Sequence, residues 1–196
     1  QKYIYYACGD TPDKIEKLPQ TEAVRDHGFE ILYLTDDVDE FALQMLHSFE
    51  DKEFKSVSAG DLGFEDEKKA DEAADKENEP LLTAMQKALD GKVKSVKVST
   101  RLKTHPVCLS SEGALSIEME KVLSSMPNAG GMKAQRVLEL NASHPIFAKL
   151  QALQKDGDEE KLSEYAKLLY DQALLIEGLP VEDPVAFSAR ICALME

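Results

Sequence analysis

Leu168-Leu169-Tyr170-Asp171-Gln172-Ala173-Leu174-Leu175-Ile176-Glu177-Gly178 is the stretch whose reading decides the architecture, because it is apolar on too many sides. A helix packed once against a core needs one apolar stripe about 100° wide. Extended back to Leu162, this segment carries two. Leu162, Tyr165, Ala166, Leu169, Ala173 and Ile176 follow i, i+3, i+4 spacing along one line, and Leu168 and Leu175 flank Gln172 on a second. One stripe serves the chain's own core. The second calls for another partner, and a second copy of the chain is the expected one.

The C-terminal neighbour repeats the pattern. Asp183-Pro184 is an N-cap and N1 pair that starts a last helix. That helix carries Phe187, Ile191, Leu194 and Met195 on one side, with Val185, Ala189 and Cys192 nearby. This is again more apolar surface than one contact uses. Paired with their copies, the two helices would form a four-helix bundle. The expected interface is Leu168, Leu169, Gln172, Leu175, Ile176, Phe187, Ile191, Leu194 and Met195.

Upstream, residues 1–57 alternate strands and helices, which favours a small, mainly parallel sheet. Tyr3–Ala7 reads as a strand, Thr11-Pro12 as a helix start, and residues 20–27 as a helix closed by Gly28. Phe29–Leu34 reads as a strand buried on both faces. Val38, Phe41, Ala42, Met45, Leu46 and Phe49 form the apolar stripe of the next helix, and Phe54–Ser58 reads as a short edge strand. Residues 58–79 form an acidic connector. Between Asp61 and Glu79 there are nine acidic and three basic side chains, the composition of a solvated helix. Residues 80–196 then read α-β-β-α-β-α-α-α, with a three-stranded sheet. The fold class is α+β.

Composition excludes whole classes of function. With 37 acidic and 23 basic residues the chain carries −14, which argues against nucleic acid and anionic membranes. No apolar run reaches the roughly 18–20 residues of a membrane span. Cys8, Cys108 and Cys192 each sit in an apolar segment, which reads as three buried thiols in a reducing compartment. His27, His47, His105 and His144 have no metal-ligand spacing, and no phosphate-binding glycine loop occurs. Asp36, Asp37, Asp39 and Glu40 are explained by a helix N-terminus rather than a cation. The Cys8-Gly9-Asp10 turn reads as an ordinary strand-to-helix turn; a small α/β enzyme using it is the weakest alternative. No catalytic, cofactor-binding or metal residue is assigned.

One further feature stands out at residues 112–124, which read as a helix. Leu115, Met119, Val122 and Leu123 fall on one face, Ile117 lies to the side, and Met126 follows. Methionine's flexible thioether suits surfaces that accept varied partners. The same stripe equally reads as core packed on the neighbouring sheet.

Four motifs, in order, resemble the HtpG-type 90-kDa heat-shock chaperone family. They are Gly28–Asp36 with Val38-Asp39-Glu40; Arg101-Leu102 with Pro106; Leu138–Asn141 with His144-Pro145-Ile146; and Leu168–Gly178 with Glu182-Asp183-Pro184. The resemblance implies that residues 1–57 end the family's middle domain and that 80–196 form its C-terminal dimerisation domain. ATP and magnesium would belong to the family's N-terminal domain, and the Asn-x-Ser-Arg-Glu-like segment that assists hydrolysis does not occur. The fragment is therefore expected to be no ATPase. Its expected partners are itself, as a homodimer, and non-native client proteins held by Leu115, Met119, Val122, Leu123 and Met126. A purely structural dimerisation module is the alternative. The tail ends without Glu-Glu-Val-Asp, which implies a bacterial, cytoplasmic protein.

Overall fold

The computed structural model describes residues 1–113, 115–125 and 132–195. Within these, nine helices and two small mixed sheets make an α+β fold. The expected loop at Met126–Gly131 lies outside the described residues.

The first sheet has the order β2-β1-β4-β3, from β1 (Ile4–Cys8), β2 (Ile31–Leu34), β3 (Ser48–Phe49) and β4 (Lys52–Ser56). β1 runs parallel to both β2 and β4, and β3 closes an antiparallel hairpin onto β4. Alternation along β1 sends Tyr5 and Ala7 to the face covered by α1 (Pro12–Glu16) and α2 (Thr21–Asp26), where Ile15, Ala23 and Val24 are buried. Thr11 caps α1, its hydroxyl accepting from the Lys14 N–H. Gly9 must be glycine: a Cβ there would meet the Ile15 side chain at 2.8 Å.

Three expectations for this unit fail, those for β2 and α3 because its second face is thinly covered and that for β4 because β3 pairs beside it. β2 lies at the sheet edge, and Leu32 and Tyr33 are exposed rather than buried on both faces. β4 lies between β1 and β3, not at the edge. In α3 (Asp39–Leu46) the only buried residue is Glu40. The stripe expected to seal a core instead leaves Val38, Met45 and Leu46 open, and Phe49 belongs to β3.

The acidic connector contains α4 (Glu65–Glu77), none of whose residues is buried. It is more than a solvated rod. The Asp75 carboxylate accepts from the Val98 N–H at 2.6 Å and Asp71 from the Thr100 N–H at 2.7 Å, capping an otherwise open strand edge. Burial raises both carboxyl pKa values.

From α5 (Glu79–Ala88) the elements follow the expected order: β5 (Ser95–Val98), β6 (Val107–Glu112), α6 (Ile117–Ser125), β7 (Gln135–Leu140), α7 (Pro145–Asp156), α8 (Glu159–Ile176) and α9 (Pro184–Ala193). β7 is central, parallel to β5 and antiparallel to β6. The core lies between this sheet and α5, α7 and α8, and includes Met85, Leu109, Ile117, Leu138, Leu150 and Leu174. Gly178, at φ 70°, adopts the left-handed conformation that ends α8.

Arg101 joins the two units. Its guanidinium donates to the carbonyls of Val57, Ala59 and Gly60 and pairs with Glu139 of β7. Beside it, Gly60 N–H donates to Ser111 and Ser111 N–H donates to Ser58, so the chain after β4 is stitched to the end of β6. Glu22 adds a third tie, accepting from the N–H groups of Lys103 and Thr104.

Candidate functional site

Asp158 caps α8 and Asp183 caps α9, each accepting the backbone N–H of the third residue of its helix, Lys161 and Ala186. On α8 the line facing the core is Leu162, Ala166, Leu169, Tyr170, Ala173 and Leu174. Leu169, which the sequence placed both on the first apolar line and at the interface, is buried within the chain itself. Tyr165 and Ile176, expected in the core line, are only partly buried. The second line is open: Leu168 is half-buried, Gln172 is exposed, and Leu175 is 51% exposed.

α9 is the anomaly among the apolar helices: like the acidic α4 it has no buried residue, yet its sequence is largely apolar. Phe187 and Ile191 are half-buried, while Val185, Leu194 and Met195 are exposed. Arg190 ties the helix to α8. Its Nε reaches Glu164 at 2.9 Å and its Nη1 reaches Asp171 at 3.0 Å. Burial raises the Asp171 pKa against the opposing pull of Arg190, and hydrogen bonds led by Lys167 lower that of Glu164. Between the helices runs a groove of about 780 Å³ lined by Tyr165, Leu168, Ala186, Ala189, Ala193 and Leu194. Cys192 is exposed and Cys8 half-buried; of the three thiols only Cys108 is buried as expected.

α6 differs from its reading in register. The strand β6 runs to Glu112 and the helix begins only at Ile117, with the Ser116 hydroxyl accepting from the Met119 N–H. Leu115 thus precedes the helix and packs partly buried against the core. Ile117, thought to lie to the side, is fully buried, and Met119 is 5% exposed. Val122 and Leu123 are half-buried. Met126 lies outside the described residues.

Charged groups seat α6 together with Ile117 and Met119. Glu118 and Glu120 are both buried. Glu120 Oε1 pairs with Arg136 Nη2 at 2.5 Å, its Oε2 accepts the Ala134 N–H at 2.9 Å, and Arg136 Nη1 donates to the Tyr170 hydroxyl at 2.8 Å. Glu118 faces Glu40 of α3. Burial, followed by the Glu118 charge, pushes the Glu40 carboxyl up to about 7, and Tyr6 donates to it. At the end of α8, burial pushes Glu177 up to about 7 despite Lys121 at 3.7 Å, and Gln20 donates to it. None of these partners is near another in sequence, so no periodicity points to them.

Among the described residues no group of three or more His, Cys, Asp or Glu side chains could hold a metal ion, and no helix is long and apolar enough to cross a membrane. At the Cys8–Asp10 turn, Asp10 pairs with Lys14 and burial raises the Cys8 pKa, which disfavours the thiolate.

Known proteins match this sequence along its whole length. The family described as Hsp90 protein matches residues 1–196. A "Chaperone protein HtpG" of Clostridium acetobutylicum is 58% identical over the entire chain, and one of Halalkalibacterium halodurans 59%. One of Clostridium botulinum is 57% identical over 198 aligned residues. The chain spans 31–32% of the length of these relatives. With a match along its full length, the chain belongs to the Hsp90 chaperone family.

Proposed function

We propose that this chain is the assembly and client-contact portion of an HtpG-type chaperone. In this reading residues 1–57 close the middle domain, 58–79 connect, and 80–196 form the dimerisation domain. α8 and α9 pair with their copies in a four-helix bundle through Leu168, Leu175, Phe187, Ile191, Leu194 and Met195. ATP and magnesium are bound by the remaining length of the whole, cytoplasmic protein, and this portion performs no hydrolysis.

The observation that carries the reading is α9 with the two residues that follow it: Val185, Phe187 and Ile191 on the helix and Leu194 and Met195 just beyond, none of them buried. Apolar area left in water contributes nothing, whereas its burial contributes roughly 25 cal/mol per Å². A stable interface buries about 1,200–2,000 Å². Sedimentation at micromolar concentration is expected to give a species of twice the 21.8 kDa chain mass. A monomer at that concentration would refute the proposal.

Client contact rests on Val122 and Leu123, the half-buried part of α6. Such contacts are weak and reversible, since association entropy and ordering consume most of what a small apolar face supplies. A specific observation favours the second reading, a structural dimerisation module without a client surface: Met119 and Ile117 are already buried in the chain itself. Suppression of aggregation of a chemically unfolded protein separates the two.

A further inference from the structure

Consecutive residues of α8 are linked to both helices just discussed, to α9 directly and to α6 by way of β7. Asp171 holds Arg190 of α9. Tyr170, 1% exposed, accepts from Arg136, which pairs with the buried Glu120 of α6. Successive helical residues point about 100° apart. One short segment of α8 therefore grips α9 on one side and, through the central strand β7, α6 on the other.

We propose that α8 couples α9 to α6 through Tyr170, Arg136 and Glu120, which act as positioning residues for the α6 surface. The meaning given to that surface rests on the function proposed above; the coupling itself does not.

Three features make the path stiff. Both Glu120 oxygens are occupied, one by Arg136 and one by the Ala134 N–H, so the carboxylate ties the helix to β7 and to the residue just before it. The pair is desolvated, its side chains 10% and 6% exposed, and a buried charge that loses its partner finds no water to replace it. Arg136 sits on the central strand, held on both sides by sheet neighbours. If Arg190 lets go, Asp171 is left buried with its charge unpaired, and the turn of α8 that carries Tyr170 must relax. That displaces the hydroxyl held at 2.8 Å by Arg136. Glu120 and α6 follow.

Hydrogen exchange of the whole chain tests this, using Arg190→Ala, Tyr170→Phe, the double variant and Arg190→Lys. Expected is exchange in residues 118–125 faster by about threefold or more in Arg190→Ala, with residues 79–88 of α5 unchanged, as for a local opening. Tyr170→Phe should itself loosen α6, and the double variant should be no faster than Tyr170→Phe alone, the non-additivity of residues acting in one path. Arg190→Lys, which keeps a cation beside Asp171, should restore most of the protection. Effects that multiply in the double variant, an unmoved α6 in Arg190→Ala, or loosening shared equally by α5 would each overturn the coupling. Sedimentation of the same samples reads dimerisation separately, so loss of the assembly reading and loss of the coupling are distinct outcomes.

Discussion

The Arg101 guanidinium and the Glu139 carboxylate meet at 3.0 Å with side chains only 7% and 5% exposed. The pair joins the chain just past the end of β5 to the central strand β7, and Arg101 also holds three carbonyls of residues 57–60, where the chain leaves the first sheet. Arg101→Met leaves Glu139 buried and unpaired beside Cys108. It should cost about 3–5 kcal/mol, read as a lower midpoint in urea. Arg101→Met with Glu139→Leu should recover a large part of the loss, because no orphan charge remains. A double variant as unstable as the single one would count against desolvation as the cause.

Leu175→Glu and Ile191→Glu should each yield folded monomers. Leu175 is 51% exposed in the protomer, so its replacement leaves the chain's own core intact while placing an unpaired charge in the bundle. Unchanged circular dichroism with halved sedimenting mass is the expected pair of readings.

Cys192 offers a probe that needs no mutation, as the one exposed thiol of the three. Lying on α9 beside Ile191, it should react with a thiol reagent more slowly as protein concentration rises through the dimerisation range. Reactivity independent of concentration would place the interface elsewhere.

Burial divides the α6 stripe into residues with different duties. Met119→Ala should cost about 2–3 kcal/mol as a core truncation. Leu123→Ser, at a half-buried position, should cost less than about 1 kcal/mol yet weaken suppression of aggregation. Full suppression in a folded Leu123→Ser variant would leave the structural-module reading in possession.

Glu177 sets a pH dependence whose direction follows from its raised pKa. Between the ordinary 4.5 and the folded value of about 7, the folded chain keeps a proton that the unfolded chain releases. Stability contributed by this group is therefore full below 4.5 and falls as pH climbs through 7, by an amount on the order of 3 kcal/mol. Glu177→Gln removes the charge and retains an acceptor for Gln20. Its thermal midpoint should exceed that of the parent chain at pH 8, and the advantage should vanish near pH 4.5.

Local chemistry was legible in the residues themselves. Thr11-Pro12, His144-Pro145 and Asp183-Pro184 start helices because a capping acceptor and a preset φ act within one turn. The two apolar lines of Leu162–Ile176 are likewise visible in spacing, since period 3.6 is a property of the backbone. Family membership was legible too, because the four motifs keep their order along the chain.

Which apolar line is covered is another matter, and only the tertiary structure decided it. The stripes of α3 and α9 read like that of α8, yet theirs stay largely open because, among the described residues, no neighbouring element buries them. Likewise β2 reads as a central strand and stands at an edge. The contacts that seat α6 join Glu120 to Arg136 and Tyr170, Glu118 to Glu40, and Glu177 to Gln20, pairs whose members come from separate elements. Sequence spacing encodes the direction of a side chain about its own axis. Burial and pairing depend on what arrives from elsewhere in the chain, which no local pattern carries.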